Sequence, residues 1–388
     1  MKNLPMLVSL FIPVWFYSNT GYMLFPVFVF STLLLLLSFI FYNFNGLSIS
    51  RSYILSLAFV FIYIVSATAI HANLLFDTYL IEDTASEAAK LLLCLIIFLV
   101  IFRWAHSGRF RSNLLTAITV VLCISLVAFF VQVYYLYVEG FHVNYLEFFM
   151  GREQRIRGTA GIKGLYRPSG AYNEPGTYAV FTYVLILIRY MLKQRLDSLF
   201  WVAFATTIIT LSVQAIVSAF LFIMLFVLLA SFNFFCRMKL RKIHLFYMLV
   251  ASAVTVVVMV LFFDLAMPYL EARFSSAGDA TVSVRKNSVI VYLDQMFFTY
   301  IIGIGVNNFG LGVLINDTGF FFSTLVQYGI LGLFFVLIPL YVLIRTDYLA
   351  FSLYFIILLS KLSLQYPIVW VCLALIYRIT VPERKSAP

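Results

Sequence analysis

Long apolar runs separated by short polar segments dominate this sequence and limit the folds that it can adopt. About twelve such runs are present, and a helix needs about 20 apolar residues to cross the hydrocarbon core of a bilayer. The composition agrees, because 63% of the residues are hydrophobic and only 11% are charged, against about 25% in soluble domains. The sequence therefore predicts an all-α polytopic membrane protein and excludes a soluble domain or a disordered chain.

The predicted spans form one integral membrane domain over residues 1–388. They are 4–18, 22–42, 53–71, 89–103, 114–138, 177–192, 199–213, 214–232, 246–263, 320–344, 348–364 and 367–379. The stretch 199–232 is long for one helix and short for two. We divide it at Ser212-Val213-Gln214, because basic segments flank both of its ends and both are expected on the same side.

The distribution of basic residues predicts the orientation. The chain has 26 Lys and Arg against 16 Asp and Glu, for a net charge of +10. Most of the basic residues fall in the loops of one side, which the positive-inside rule makes cytoplasmic. Both termini are then cytoplasmic. Nucleic acid is not indicated as a partner, since the basic residues are scattered over many short loops.

Ionisable residues are rare within the predicted spans, whereas ion-coupled transporters usually need some at mid-membrane. Lys90 lies at the end of the predicted span 89–103, where a long side chain can extend to the interface. Glu82 and Asp83 precede that span and are expected in a solvated loop.

Two long segments, 139–176 and 264–319, are predicted on the outer side. The first contains Arg152, Arg155, Arg157, Lys163 and Arg167, together with six glycines between 151 and 176. Glycine allows backbone N–H groups to form an anion-binding nest, and the forked arginine side chain fits phosphate oxygens. The segment suits a phosphate or pyrophosphate group at the membrane surface. It is equally compatible with a solvated basic loop or with contact to anionic membrane lipid.

Two carboxylates stand at the outer ends of predicted helices. Glu174-Pro175 begins the span after the first long segment, and Asp317 precedes the span that begins at Phe320. Each acid is explained either as a helix-start residue or as a functional carboxylate beside a basic cluster. The second long segment also carries Arg273, Arg285 and the Gly303-Ile-Gly305 turn.

These motifs resemble the Wzy-type polysaccharide polymerases, which include O-antigen, capsule and colanic-acid polymerases. The resemblance is carried by Arg167, Gly170, Glu174 and Pro175 at the start of a helix. In the second segment it is carried by Arg285, the Gly-Ile-Gly turn, and Asn316-Asp317-x-Gly before Tyr328-Gly329-Ile-Leu-Gly332. The second pattern is also similar to that of the O-antigen ligases, in which His-Asn usually stands where this chain has Asn316-Asp317.

The resemblance implies a metal-independent glycosyltransferase without a cofactor, similar to the membrane glycosyltransferase C type. It implies a bacterial inner-membrane enzyme with its active site facing the periplasm. The substrates would be glycans linked to undecaprenyl pyrophosphate, and a chain-length regulator protein would be a partner. Arg167, Arg285, Glu174 and Asp317 would be catalytic, and Glu174 and Asp317 compete for the role of base. Substrate binding would involve Arg155, Arg157, Arg273, Gly170 and Tyr172.

Two alternatives remain from the sequence. An O-antigen ligase would use similar parts but would transfer the finished glycan to lipid A core. The absent histidine and the Glu174-Pro175 ending favour the polymerase. A lipid-linked glycan flippase or another transporter is expected to show internal repeats and charged residues around a cavity, and neither is evident in the sequence.

Overall fold

The computed structural model describes most of the central and C-terminal parts of the chain. The described residues are 81–150, 154, 158–159, 162–237, 297–305 and 319–380, with Leu33, Leu37, Leu55, Ala58, Ile62, Tyr63, Val65, Ser66, Ala69 and Ile290. The predicted spans 4–18 and 246–263, most of 22–42 and 53–71, and both termini lie outside these residues. The described part is helical apart from one short hairpin, so the predicted all-α class is confirmed.

The first described elements lead to the first long segment. Helix α1 is Ile81–Trp104 and helix α2 is Gly108–Tyr137. Ser107 caps α2 by accepting a hydrogen bond from Phe110 N, as short polar side chains do at helix starts. A short helix α3, Tyr145–Met150, follows. Strands β1, Gly158–Thr159, and β2, Ile162–Tyr166, then pair antiparallel, with Gly158 opposite Tyr166.

Three helices follow this hairpin. Helix α4 is Pro175–Lys193, α5 is Ser198–Ile209 and α6 is Val213–Arg237. The predicted division of 199–232 is confirmed, because the helix stops before Ser212 and restarts at Val213. Leu211 occupies the break with a φ of 49°. A branched side chain rarely adopts this left-handed conformation, so the break is strained.

The described residues of the C-terminal part form four helices. They are α7, Phe297–Ile302, α8, Phe320–Thr346, α9, Tyr348–Leu358, and α10, Pro367–Thr380. Their bounds agree with the predicted spans 320–344 and 367–379, and α9 ends earlier than the predicted 348–364. Helix α8 contains a break at Gly329, which the sequence analysis does not predict.

Three of these helices have the length and apolar composition needed to cross a membrane. They are α2, α4 and α8. This finding supports the prediction of a membrane protein. In contrast, α5, α9 and α10 have 12, 11 and 14 residues, or about 16–21 Å of helix. A helix of that length does not span about 30 Å of hydrocarbon, so its ends must be accommodated by neighbouring protein.

Helix α4 lies at the centre of the described part. Fourteen of its 19 residues are buried, and it packs against α2, α5, α9 and α10. Apolar residues on all sides of a helix are compatible with this position, because no face of the helix needs contact with water. Helices α1, α8 and α10 pack together beside it, where the Phe98 ring contacts Phe335 at 6.0 Å and Trp370 at 6.1 Å between centroids.

The beginning of α1 differs from the prediction. The helix begins at Ile81 and not at residue 89, so Glu82 and Asp83 lie in its first turn. Lys90 is therefore in the third turn of the helix and does not reach the interface. It is 2% exposed, and its ammonium lies 2.6 Å from a carboxylate oxygen of buried Glu87. The expectation that Lys90 extends out of the membrane region is wrong.

A second ion pair fixes the connection between α4 and α5. Asp197 caps α5 by accepting from Phe200 N, and it also binds Arg189 at 2.6 Å and Lys193 at 2.6 Å. The hydrogen bond from Arg189 holds the pKa of Asp197 well below its usual value, and the Lys193 and Phe200 contacts act in the same direction. The corner between the two helices is thus held by charge at any physiological pH.

Candidate functional site

The segment 167–174, which joins β2 to α4, carries most of the described candidate residues. It is folded into the protein and does not form a solvated loop. Residues Arg167 to Tyr172 are all buried, and Arg167 is 8% exposed although it is charged. A buried arginine needs a structured surrounding, so the contacts that hold this segment are central to the site.

Gln132 of α2 is the first of two buried glutamines that bind the segment. Its Oε1 accepts hydrogen bonds from Ser169 N at 2.8 Å and Gly170 N at 2.7 Å. Two successive N–H groups directed at one oxygen form the kind of nest that was predicted for an anion. Here the oxygen of a neutral side chain occupies it. Within the glycine-rich segment predicted to bind an anion, the N–H groups of Ser169 and Gly170 are therefore already occupied by the protein itself.

The other end of the Gln132 amide faces the start of the first long segment. Its Nε2 lies 3.1 Å from Gln154 Oε1, 3.2 Å from the Val143 carbonyl and 3.4 Å from His142 Nε2. An amide nitrogen carries two hydrogens, so Gln132 can donate to two of these three atoms at once. Burial lowers the pKa of His142 below its usual 6.5, which favours the neutral ring.

Gln154 completes the attachment from the opposite side. Its Nε2 lies 2.7 Å from Ser169 Oγ, 2.9 Å from the Gly170 carbonyl and 2.5 Å from the Tyr172 carbonyl. The residue is 4% exposed. The two glutamines thus bind four of the eight backbone N–H and C=O groups between 169 and 172, which satisfies groups that would otherwise be costly to bury.

Gly170 is required by the close approach of this segment to α2. Its φ is +57°, and a Cβ at this position would lie 3.3 Å from the Phe129 Cα. The turn from Ser169 to Tyr172 is closed by a backbone hydrogen bond of 3.1 Å. The role of Gly170 in this structure is to permit the turn, and its predicted contact with substrate stays a prediction.

Tyr172 is an anchor inside the helix bundle. The residue is 1% exposed, and its ring contacts Tyr178 and Phe181 at 5.7 Å between centroids. Its hydroxyl lies 3.5 Å from Ser125 Oγ, and burial raises its pKa to about 12. These contacts fix the segment in the core, and the predicted contact of Tyr172 with substrate stays a prediction.

Glu174 occupies the N-cap position of α4, with Pro175 as the first helical residue. Its carbonyl accepts from Tyr178 N at 3.1 Å, but its side chain makes no capping hydrogen bond. A role at the helix start therefore explains why Glu174 stands at this position, but it does not assign a capping contact to the carboxylate. Glu174 and Arg167 are both held at the same end of α4 by the buried segment between them.

The Gly303-Ile-Gly305 turn is bound to the break in α8. Ile304 N donates to the Val326 carbonyl at 2.8 Å, and Gly305 N donates to the Gln327 carbonyl at 2.9 Å. A Cβ on Gly329 would lie 2.1 Å from the Ile301 carbonyl oxygen, so only glycine fits. This pairing supplies donors for carbonyls that the helix break leaves unsatisfied.

Tyr63 adds a further bond to this crossing. Its hydroxyl lies 3.0 Å from the Ile302 carbonyl and 3.1 Å from the Tyr328 carbonyl. With this contact, the carbonyls of Val326, Gln327 and Tyr328 all have donors from the protein. Backbone carbonyls at a broken membrane helix sometimes bind cations, but these are already used internally.

Several predicted site residues lie outside the described residues. They are Arg155, Arg157, Arg273, Arg285 and Asp317. The N-cap position of α8 is Gly319 and not Asp317, so the interpretation of Asp317 as the N-cap is wrong, and its role as base stays a prediction. Among the described residues, no group of three or more His, Cys, Asp or Glu could hold a metal ion.

Gln132 and Gln154 are residues that the sequence analysis missed. Gln132 stands in an otherwise apolar run, and a polar residue inside a membrane helix commonly faces the protein interior and binds a partner there. That signal was present in the sequence. Gln154 lies in a polar segment, where nothing in the local pattern separates it from its neighbours.

Replacing Gln132 by leucine is expected to release the segment 167–172. The Ser169 and Gly170 N–H groups lose their acceptor, and leaving buried donors unsatisfied costs about 1–3 kcal/mol each. Hydrogen exchange of these two amides, measured by mass spectrometry, should become about tenfold faster or more. Gln132→Glu keeps an acceptor oxygen and should retain more of the protection. An unchanged exchange rate in Gln132→Leu would contradict the role given to Gln132.

Comparisons with known proteins add no relationship. No protein-family model matches the chain, and a search of curated proteins gives no match.

Proposed function

We propose that this protein polymerises lipid-linked oligosaccharide repeat units on the outer face of a bacterial inner membrane. It would transfer the growing glycan from undecaprenyl pyrophosphate to the terminal sugar of a new lipid-linked repeat unit. The enzyme would be a metal-independent glycosyltransferase with about twelve spans, cytoplasmic termini and two long periplasmic loops. The chemistry would lie where the first loop enters α4.

The observation that carries this proposal is the burial of Arg167 in the ordered segment that leads to Glu174. Arg167 is 8% exposed, and Gln132 and Gln154 bind the residues that follow it. A cation held by a rigid surrounding stabilises charge that develops in a transition state without first reorganising. The Glu174 carboxylate lies at the end of the same segment and is not used for capping.

The proposed step is a displacement at the anomeric carbon of the donor. The acceptor hydroxyl oxygen forms a bond to that carbon, and the bond from carbon to the pyrophosphate oxygen breaks. The electron pair remains on the departing lipid pyrophosphate, whose growing negative charge Arg167 and Arg285 would stabilise. The hydroxyl proton passes to a carboxylate, for which Glu174 and Asp317 are the candidates.

A transporter remains the alternative of a different class. One argument against it was the scarcity of ionisable residues in the spans, and the buried Glu87–Lys90 pair weakens that argument. Intramembrane charges often mark transport pathways. The pair lies within one helix, and its two charges neutralise each other. We therefore keep the polymerase as the proposal, and the following experiment distinguishes it from a transporter.

The decisive experiment is a gel of surface glycan from a deletion strain and from the same strain complemented with the gene. A polymerase predicts that the ladder collapses to core carrying a single repeat unit, because export and ligation continue while extension stops. Complementation should restore the ladder.

Other patterns would contradict the proposal. Long chains that accumulate on the lipid carrier would indicate a ligase. Repeat units retained on the inner side would indicate a flippase. A ladder that is unchanged by the deletion would exclude a role in that glycan.

A further inference from the structure

Helix α2 is longer than a bilayer requires, and its sequence indicates which part of it lies in hydrocarbon. It has 30 residues, or about 45 Å of helix, against about 30 Å of hydrocarbon core. No charged residue occurs between Arg111 and Glu139. About 20 residues counted from Asn113, where the polar start of the helix ends, place the far edge of the hydrocarbon near Val133. The last turn of α2 is then at the level of the lipid headgroups.

The exposed side chains of α2 change in character at this level. Toward the middle of the helix they include the aliphatic residues Ile124, Val127 and Val131. Beyond Val133 they are mainly aromatic, and tyrosine and tryptophan are the residues that concentrate at membrane–water interfaces. We call these exposed aromatic residues the aromatic band: Tyr134, Tyr135, Tyr137, Phe141 and Phe148.

The chain turns back on itself at the end of α2. Gly140 has a φ of +68°, and Phe141 N donates to the Tyr135 carbonyl at 2.9 Å. A glycine in this conformation is a common way to end a helix and reverse the chain. Phe141 is thereby returned to the level of Tyr135.

Side-chain contacts show that the returning chain descends along α2. Gln132 Nε2 lies 3.2 Å from the Val143 carbonyl, and the Tyr145 hydroxyl donates to the Ala128 carbonyl at 3.1 Å. As the residue number rises from 141 to 145, the partner on α2 falls from 135 to 128. Ala128 is about 7.5 Å of helix below Val133, on the hydrocarbon side. Helix α3, which begins at Tyr145, therefore begins at membrane level.

Helix α3 exposes an aromatic ring at this depth. Leu146 is 3% exposed and packs against the protein, whereas Phe148 is 81% exposed. Glu147 is also exposed, and its carboxylate lies 2.9 Å from Asn144 Nδ2. Because successive residues are about 100° apart around a helix, Glu147 and Phe148 point in different directions. One direction suits water and the other suits lipid.

We propose that α3 lies in the headgroup interface of the bilayer, with the Phe148 ring in lipid and the Glu147 carboxylate facing water. Lipid is the occupant of this surface, because the surface continues the exposed side of α2, a helix long and apolar enough to span a membrane. Residues 134–150 include two acids and no Lys or Arg. The contact is therefore aromatic insertion and not attraction to anionic lipid. This inference does not depend on the reaction that the protein catalyses.

The aromatic band also bears on the depth of the candidate site. The Tyr137 hydroxyl donates to the Tyr166 carbonyl, and Arg167 is the next residue, about 3.8 Å along the chain. Insertion of the band holds the start of the segment 167–174 at the level of the lipid phosphates. That is the depth at which a phosphate group carried by a membrane lipid stands.

The test is electron paramagnetic resonance of the full chain reconstituted in phosphatidylcholine vesicles. A nitroxide is attached to p-acetylphenylalanine at position 148, so the native cysteines are left in place. Its collisions with molecular oxygen, which concentrates in lipid, are compared with its collisions with a water-soluble nickel chelate. The ratio of oxygen to nickel collisions at position 148 should be several times that at position 195 and should approach that at position 127.

Three other positions give the reference values. Val127 is 62% exposed near the middle of α2, so it defines the value in lipid. Arg195 is exposed on the connection between α4 and α5, so it defines the value in water. Position 147 is the matched control, because it lies on the same short helix as Phe148, and its ratio should resemble that at position 195.

Two results at position 148 would overturn the inference. A ratio equal to that at position 195 would place α3 in water. Exclusion of both reagents would mean that a second copy of the chain or another protein covers Phe148. Equal oxygen-rich values at positions 147 and 148 would overturn the proposed orientation of α3.

A change of lipid tests the cause of the insertion. Replacing part of the phosphatidylcholine by anionic phosphatidylglycerol should leave the ratio at position 148 unchanged. A high ratio that requires the anionic lipid would overturn aromatic insertion as the cause. No glycan substrate is present in these measurements, so their outcome is separate from that of the polymerase proposal.

Discussion

Replacing Arg167 by alanine is expected to reduce glycan chain extension by about 100-fold or more. If Arg167 stabilises the departing pyrophosphate, its loss removes a fixed donor at the point where charge develops, and one such donor is worth about 10²–10³ in rate. Arg167→Lys keeps the charge but loses the forked geometry, and it should retain intermediate activity. The measurement is the surface-glycan ladder, followed by the initial rate of extension with purified protein.

Arg195→Ala provides the control for this substitution. Arg195 is exposed on the connection between α4 and α5, so its loss should leave the ladder unchanged. Protein levels in the membrane must be measured for every variant, because Arg167 is buried. A full ladder from Arg167→Ala at normal protein level would refute the proposed role of Arg167.

Replacing Lys90 by methionine is expected to be the most destabilising single change in the described helices. The substitution leaves the buried Glu87 carboxylate without the Lys90 ammonium, and breaking a buried ion pair in this way costs about 3–5 kcal/mol. The measurement is thermal unfolding in detergent. The double variant Glu87→Gln/Lys90→Met removes both charges and should recover much of the loss.

Lys193→Met is a control with the same bond length in a different environment. The Lys193 ammonium also lies 2.6 Å from a carboxylate, that of Asp197, but its side chain is 35% exposed. Exposed pairs contribute about 0–1 kcal/mol, so this variant should unfold close to the wild type. Equal losses from Lys90→Met and Lys193→Met would show that burial does not determine the contribution of the pair.

Among the described residues helix positions were largely predictable, because the long apolar runs there coincide with helices. The sequence analysis divides 199–232 at Ser212-Val213-Gln214 because basic segments flank both ends of that stretch, and the structure has a helix break there. Local sequence carries such information because helix formation depends on neighbouring residues. The segment from Arg167 to Pro175, which carries the resemblance, is folded into the protein.

The remaining features depend on contacts between distant residues. The sequence analysis places the start of α1 too late, because Glu82 and Asp83 suggest a solvated loop. The pairing of Glu87 with Lys90, which allows both charges to be buried in the helix, is seen only in the structure. The break at Gly329 requires the approach of residues 301–305, which lie far away in the sequence. The occupation of the nest at Ser169 and Gly170 could not be predicted without knowing that Gln132 faces it from α2.

Because α4 is enclosed by other helices, we expect it to respond little to differences in bilayer thickness. Hydrophobic mismatch acts on helices that touch lipid, which respond by tilting or by deforming the bilayer around them. Helix α4 is surrounded by protein on nearly all sides, so the thickness of the bilayer has little direct effect on its tilt. The surrounding helices can then adjust to a thinner or thicker bilayer, while α4 and Glu174 at its start are shielded from direct contact with lipid.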